Sequence, residues 1–242
     1  MHFIKLGKTD GQAMIWAHGW GQNHQAMLAL AQSFETSGPQ VLVDFPGFGA
    51  SPPPQGDWGT EDYADHMAGF IRQHNLGKVL WIGHSFGGRV GVQLAARHPD
   101  LISGMVLIAA AGLPRPQSFW KKLRVLVYKI LKHLPINKDW LRRKFGSKDY
   151  LNAGALRGVF LKVVRENLSA QAAQIKCPVL LIYGEDDTET PPSIGTLYKS
   201  LIPGAEMVLL PGHDHYTVMA QGRHLTARHI KEFLEKLKTH DD

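Results

Sequence analysis

Six consecutive residues constrain this chain more than any others: Gly83-His84-Ser85-Phe86-Gly87-Gly88. The apolar run ahead of them, Val79-Leu80-Trp81-Ile82, reads as a strand, and Val90-Gly91-Val92-Gln93-Leu94-Ala95-Ala96 behind them reads as a helix. A strand must therefore turn into a helix within about three residues, which predicts a strained, left-handed backbone at Ser85. Side chains at positions 83 and 87 would collide with the adjoining strand and helix, and both positions hold glycine. A serine lifted out of the backbone in this way is a nucleophile elbow. The five-residue Gly-x-Ser-x-Gly pattern alone arises by chance in about one chain in ten of this composition. Its weight therefore depends on the rest of the sequence.

At 242 residues the chain has room for one large α/β domain, or for one domain carrying an insertion. No uninterrupted apolar stretch is long enough to span a membrane. The N-terminus, Met1-His2-Phe3-Ile4-Lys5-Leu6-Gly7, does not read as a secretory signal. Cys177 is the only cysteine, so no intrachain disulfide forms, which fits a reducing cytoplasm. It heads an apolar strand and is expected to serve packing. The charge is uneven. Residues 113–170 hold 14 Lys/Arg against 3 Asp/Glu, a net +11, and the remainder holds 13 against 18, a net −5. That contrast marks 113–170 as an insert in a core formed by 1–112 and 171–242.

Further strands are predicted at 13–17, 41–43, 104–108, 178–183 and 207–210. Helices are predicted at 23–34, 60–74, 87–97 and 222–238. Short apolar strands alternating with helices predict an α/β fold, a mostly parallel, doubly wound sheet with both faces covered. In such sheets chemistry gathers beyond the carboxyl ends of the strands. His18, Asp44, Ser85, Asp187 and the pair His213/His215 all fall there.

A serine nucleophile needs a base, and the base needs an orienting carboxylate. Candidates for the carboxylate crowd the loop Gly184-Glu185-Asp186-Asp187-Thr188-Glu189-Thr190-Pro191. Candidates for the base lie in Pro211-Gly212-His213-Asp214-His215-Tyr216. A metal reading of His213-Asp214-His215 lacks a further ligand cluster at matching spacing, so no metal and no cofactor are expected. The other eleven histidines are expected to be structural or solvated.

Five loops together resemble the α/β-hydrolase superfamily, and the resemblance covers essentially the whole chain. They are His18-Gly19-Trp20-Gly21, Asp44-x-Pro46-Gly47-x-Gly49-x-Ser51, the elbow, Gly184-x-x-Asp187-x-x-x-Pro191 and the histidine loop. The resemblance implies an α/β-hydrolase fold and a triad in the order Ser…Asp…His. It selects Asp187 as the acid. Matching the first glycine of the histidine loop to Gly212 and the aromatic to Tyr216 implies His215 as base, with His213 as the rival. Here Asp214 stands where the family most often has a second glycine. The implied oxyanion donors are the backbone N–H groups of Trp20 and Phe86, and both residues are expected to border the substrate.

The resemblance also implies that 113–170 is a lid between the sixth and seventh strands. From Phe119 to Leu134 its spacing is helical, with an apolar stripe opposite Lys121, Lys122, Lys129 and Lys132. The basic face is either solvated or meets an acidic partner, such as an acyl-carrier protein, an acyl-CoA or an anionic lipid surface. No nucleic-acid partner is expected. The expected activity is hydrolysis of a small-molecule carboxylic ester. The alternatives are a carrier-protein or CoA (thio)esterase, a carbon–carbon bond hydrolase and a non-catalytic binding protein.

Overall fold

The apolar runs pair side by side into one sheet whose strands use both faces. The structure, a computed structural model, describes residues 1–114 and 153–240. The strands are β1 (Phe3–Gly7), β2 (Met14–Ala17), β3 (Pro39–Val43), β4 (Val79–His84), β5 (Ile102–Ile108), β6 (Val179–Gly184) and β7 (Glu206–Leu210). The helices are α1 (Gln25–Ala31), α2 (Thr60–Gln73), α3 (Phe86–Arg97), α4 (Arg157–Arg165), α5 (Ser169–Ala172), α6 (Pro192–Leu201) and α7 (Arg223–His240). The strand order is β1-β3-β2-β4-β5-β6-β7, with β1 antiparallel to β3 and every other pair parallel.

Successive side chains of a strand point to opposite faces, and here both faces are roofed. Ile15, Trp81, Met105 and Val179 stand in register across β2, β4, β5 and β6 and share a core with Tyr63, Met67, Val90 and Tyr198. The next row, Trp16, Ile82, Val106 and Leu180, packs on the other face with Met27, Leu30, Ile230 and Phe233. The two indoles also pin their faces through their N–H groups. Trp16 Nε1 donates to Gln40 Oε1 at 2.8 Å, and Trp81 Nε1 donates to the Gly87 carbonyl at 3.0 Å. An unpaired buried N–H costs about 1–3 kcal/mol, so neither ring can change sides freely.

All six expected strands are present, as are the four helices expected outside the basic stretch. The expected helix at 23–34 ends at Ala31 and continues as a 3₁₀ turn over Gln32–Phe34. Four elements escaped the sequence reading: α4 and α5, within and at the end of the basic stretch, and β1 and α6. β1 is a half-exposed edge strand with little apolar alternation, and α6 begins after Pro191, the residue that closes the acid loop. Among the described residues, the stretch 113–170 falls between β5 and β6, the fifth and sixth strands in chain order. The predicted lid helix from Phe119 to Leu134 lies outside the described residues. The C-terminal part of that stretch, from 153, is described and includes α4.

The chain leaves β2 for β3 on one side and reaches β4 on the other. A crevice therefore opens at the carboxyl ends of these strands. The loops after β2, β4, β6 and β7 converge there. No described helix is long and apolar enough to cross a membrane.

Candidate active site

Ser85 joins β4 to α3 with φ 50° and ψ −104°. The φ is positive, as the tight turn predicts. The ψ lies far from the left-handed helical value, so the residue occupies a rarer and more strained region than a left-handed turn. Close packing enforces it. A Cβ on Gly83 would stand 2.5 Å from the Gly87 carbonyl oxygen, and one on Gly87 would overlap the carbonyl of Ala17 at the end of β2. The main chain is held from both sides: Ser85 N donates to Ile108 O at 3.0 Å and Gly87 N donates to His18 O at 3.0 Å.

Of the four acids after β6, only Asp187 is buried; Glu185, Asp186 and Glu189 are exposed. His215 Nδ1 lies 2.8 Å from Asp187 Oδ2, with both side chains almost fully enclosed. The other Asp187 oxygen accepts from the backbone N–H groups of Thr190 at 2.7 Å and Glu189 at 2.8 Å. Burial pushes the carboxyl upward, but the bonds from His215 and Thr190 outweigh it and hold Asp187 below its ordinary value. His213 turns away: its Nδ1 meets Pro211 O at 2.7 Å on the surface. The structure thus joins His215, and not His213, to Asp187.

Thr190 is a third member of this junction that the motif did not single out. Its Oγ1 lies 2.8 Å from Asp187 Oδ2, 2.9 Å from His215 Nδ1 and 2.9 Å from Ala109 O. A hydroxyl has one proton, so it donates to Ala109 or to Asp187, while its lone pairs face the His215 N–H. Ala109 itself has φ 46°, another strained position just past β5.

The loop after β2 presents Trp20 beside the elbow. The Trp20 ring meets the Phe86 ring edge-on, centroids 5.5 Å apart, and also touches Phe48 and Phe160. Phe86 opens α3, so its backbone N–H has no acceptor within the helix. Two buried histidines brace this corner. His18 Nδ1 donates to Gly19 O at 2.7 Å, while its Nε2 accepts from Phe45 N at 3.1 Å; burial pushes its pKa down to about 4. His84 contacts His215 O through Nε2 at 2.9 Å, and burial, with His215 next, pushes its pKa down to about 3. Cys177 stands apart at the foot of β6, its thiol pushed up to about 11 by burial.

Ser85, Phe86, Trp20 and His215 border one cleft of about 140 Å³, with Phe160 and Val163 of α4 as its far wall. Helix α4 is anchored to the core. Arg89 of α3 donates to Val163 O at 2.7 Å, Lys162 pairs with Asp62 at 3.1 Å, and Glu166 accepts from Thr60 N at 2.9 Å. Glu189 also borders the cleft, its Oε2 3.8 Å from His215 Nε2 and 3.3 Å from the Tyr216 hydroxyl. Phe160, Arg89, Thr190 and Glu189 were all missed by sequence reading. For Phe160 and Val163 the signal was present, as the helical spacing of an apolar stripe; for Glu189 and Thr190 it was only their place in the acid loop.

Asp44, in the loop after β3, faces away from this cleft and is enclosed by His2, His24 and Ala50. Burial raises its pKa, but hydrogen bonds from Ala50 and His24 prevail and bring it to about 2.

A profile of the alpha/beta hydrolase family matches residues 14–228, most of the chain. The chain belongs to the alpha/beta hydrolase family. Curated relatives of this hydrolase include a 2-(acetamidomethylene)succinate hydrolase of Mesorhizobium japonicum, 27% identical over 94% of this chain and 90% of the relative. A pimeloyl-[acyl-carrier protein] methyl ester esterase of Edwardsiella ictaluri is 27% identical, over 88% of this chain and 89% of the relative. Among solved structures, the enol-lactonase from Burkholderia xenovorans LB400 superposes with a TM-score of 0.77 at 20% identity, covering 97% of this chain and 96% of that one. That likeness is one of fold.

Proposed function

We propose that this hydrolase cleaves carboxylic esters through an acyl-enzyme, with Ser85 as nucleophile, His215 as general base and acid, and Asp187 as the orienting carboxylate. The observation that carries the reading is the 2.8 Å contact between His215 Nδ1 and Asp187 Oδ2, with Ser85 and His215 bordering the same cleft. Ser85 Oγ adds to the ester carbonyl carbon as His215 Nε2 takes its proton. The oxyanion is held by the N–H groups of Trp20 and Phe86. Collapse expels the alcohol, which receives the proton from His215, and water repeats the sequence to release the acid. Asp187 fixes the imidazole tautomer and stabilises its charged form. In other enzymes removing one oxyanion donor costs about 3–4 kcal/mol of transition-state stabilisation. The proposed chemistry uses side chains and backbone alone.

A cleft of about 140 Å³ walled by Trp20, Phe86, Phe160 and Val163 supports a short apolar acyl or alkyl group. The test is a panel of nitrophenyl esters from acetate to palmitate, combined with fluorophosphonate labelling and peptide mapping. Short esters should be turned over fastest, and Ser85 should carry the label. Absence of label on Ser85 in folded protein would exclude a serine acyl-enzyme and leave the binding-protein reading.

A second reading keeps the site and changes the substrate to an acyl group tethered to an acidic carrier protein. The net +11 of residues 113–170 and the carrier-protein esterase among the relatives favour it. Turnover of the tethered ester should then fall steeply with salt and with Lys121→Glu or Lys122→Glu, while free esters are unaffected. Equal salt dependence for both substrates would remove the carrier.

A further inference from the structure

Away from the cleft, three residues from distant parts of the sequence turn potential metal ligands toward one another. His2 precedes β1, His24 precedes α1, and Asp44 follows β3. His2 Nδ1 lies 2.8 Å from Asp44 Oδ2, and His24 Nδ1 lies 2.8 Å from Asp44 Oδ1. All three ligand atoms fall within 4.8 Å of one another. None of the three residues borders the cleft around Ser85.

We propose that His2, His24 and Asp44 form a binding site for a divalent first-row transition ion. The carboxylate is built as a ligand in advance. Its side chain is fully buried, and the backbone N–H groups of His24 and Ala50 each take one of its oxygens, at 2.7 and 3.0 Å. Those bonds fix the plane of the group and leave one lone pair on each oxygen, aimed at the two imidazoles. Gly49 comes in so close that a Cβ there would overlap the carboxylate, which closes the pocket from behind. The opposite side is open to solvent, because the His2 side chain is 37% exposed and His24 17% exposed.

Two imidazole nitrogens and a carboxylate, with no thiolate, suit Zn²⁺, Co²⁺, Ni²⁺ or Fe²⁺, and not the all-oxygen sites of Mg²⁺ and Ca²⁺. An ion about 2.0–2.2 Å from each ligand needs the N···O separations to widen by a few tenths of an ångström, and needs the two imidazole nitrogens, within 4.8 Å of each other, to stand no more than about 4 Å apart. Binding displaces the protons on the two Nδ1 atoms, so it competes with a plain hydrogen-bonded clamp made of the same three groups. Once bound, the ion ties the N-terminal strand to the segment that leads from the Trp20 loop into α1.

The experiment uses untagged protein, stripped with chelator, and follows Tm and calorimetric titration with Zn²⁺, alongside the visible absorption of added Co²⁺. One ion should bind per chain. At metal roughly a hundred-fold above Kd, Tm should rise by about 5–10 °C. His2→Ala and His24→Ala each remove a partly exposed side chain, so both variants are expected to fold. Each should lose most of the Zn²⁺ shift and change the Co²⁺ spectrum, and Mg²⁺ should shift nothing. No binding by the wild-type protein, or equal binding by both variants, would overturn the site and leave the hydrogen-bonded clamp.

Discussion

The imidazole of His84 donates from Nε2 to the main-chain carbonyl of His215, 2.9 Å away in space and 131 residues away in sequence. The residue before the proposed nucleophile thereby holds the loop of the proposed base. Its Nδ1 is 3.3 Å from Gln22 Oε1, an oxygen already engaged by Gly19 N at 2.9 Å. Both ring partners are acceptors, and a neutral ring has one proton to give, so the shorter contact takes it. His84→Ala should therefore lower kcat about ten-fold, with KM changed less than two-fold, as the His215 loop loosens. Unaltered kcat in steady-state assays would show that the loop is held by other contacts.

The same side chain makes stability depend on pH. His84 sits among His215, Asp187 and His18, and its pKa falls from an ordinary 6.5 to about 3 in the folded chain. Above pH 6.5 it is neutral in both states and contributes nothing. As pH falls below 6.5 the unfolded chain takes up a proton that the folded chain refuses, so stability drops, continuing until about pH 3. At pH 5 this one group costs about 2 kcal/mol. Urea denaturation at pH 7.5 and pH 5 should show His84→Gln losing about that much less than the wild-type protein. An equal loss in both would place the pH dependence elsewhere.

The backbone at Ser85, with φ 50°, carries strain that glycine would not feel. Such strain is worth about 1–3 kcal/mol, partly offset by the greater entropy of glycine in the unfolded chain. Ser85→Gly should abolish ester turnover and raise Tm by about 2–6 °C. A lowered Tm in calorimetry would mean that the hydroxyl stabilises the fold more than the turn strains it.

Thr190 is expected to act on the reaction by positioning His215 and Asp187. Thr190→Val keeps the shape and removes the hydroxyl, which should reduce kcat about five- to ten-fold with KM nearly constant. Thr190→Ser should restore most of the rate. Failure of serine to rescue would assign the loss to packing and not to the hydroxyl.

Glu189 is expected to give the cleft a preference among substrates. Its carboxylate, 3.8 Å from His215 Nε2 and about half exposed, meets any anionic group entering beside it. Screening at such an exposed site keeps the repulsion to about 1 kcal/mol or less. Glu189→Gln should raise kcat/KM for a monomethyl dicarboxylate two- to five-fold and leave methyl butyrate unchanged, roughly as that energy converts. Parallel changes for both esters would show that Glu189 acts on the chemistry and not on charge selection.

What was legible in the sequence was local. The elbow, the Trp20 loop and the acid loop are each set by a few adjacent residues whose backbone demands are visible in their glycines and prolines. The parallel sheet was legible because its central strands are apolar on both faces, whereas β1 and β7 are half-exposed edges with weaker patterns. β7 is short but apolar enough to be found; β1 was not. The partnerships invisible to spacing were those between distant segments: His84 with His215, Thr190 with Ala109, and Asp44 with His2 and His24. Each is a side chain meeting a group that only the folded sheet brings near.

The attachment of α4 has a consequence for inheritance. Phe160 and Val163 shape the cleft, yet their helix stands on Thr60 and Asp62 of α2 and on Arg89 of α3. A segment carrying α4 transplanted from a relative would arrive without its footings unless Thr60, Asp62 and Arg89 travelled with it. Substrate range in a chimera of this kind is thus a joint property of two separate stretches of chain, and recombination that swaps only one of them should yield a wall with nothing to stand on.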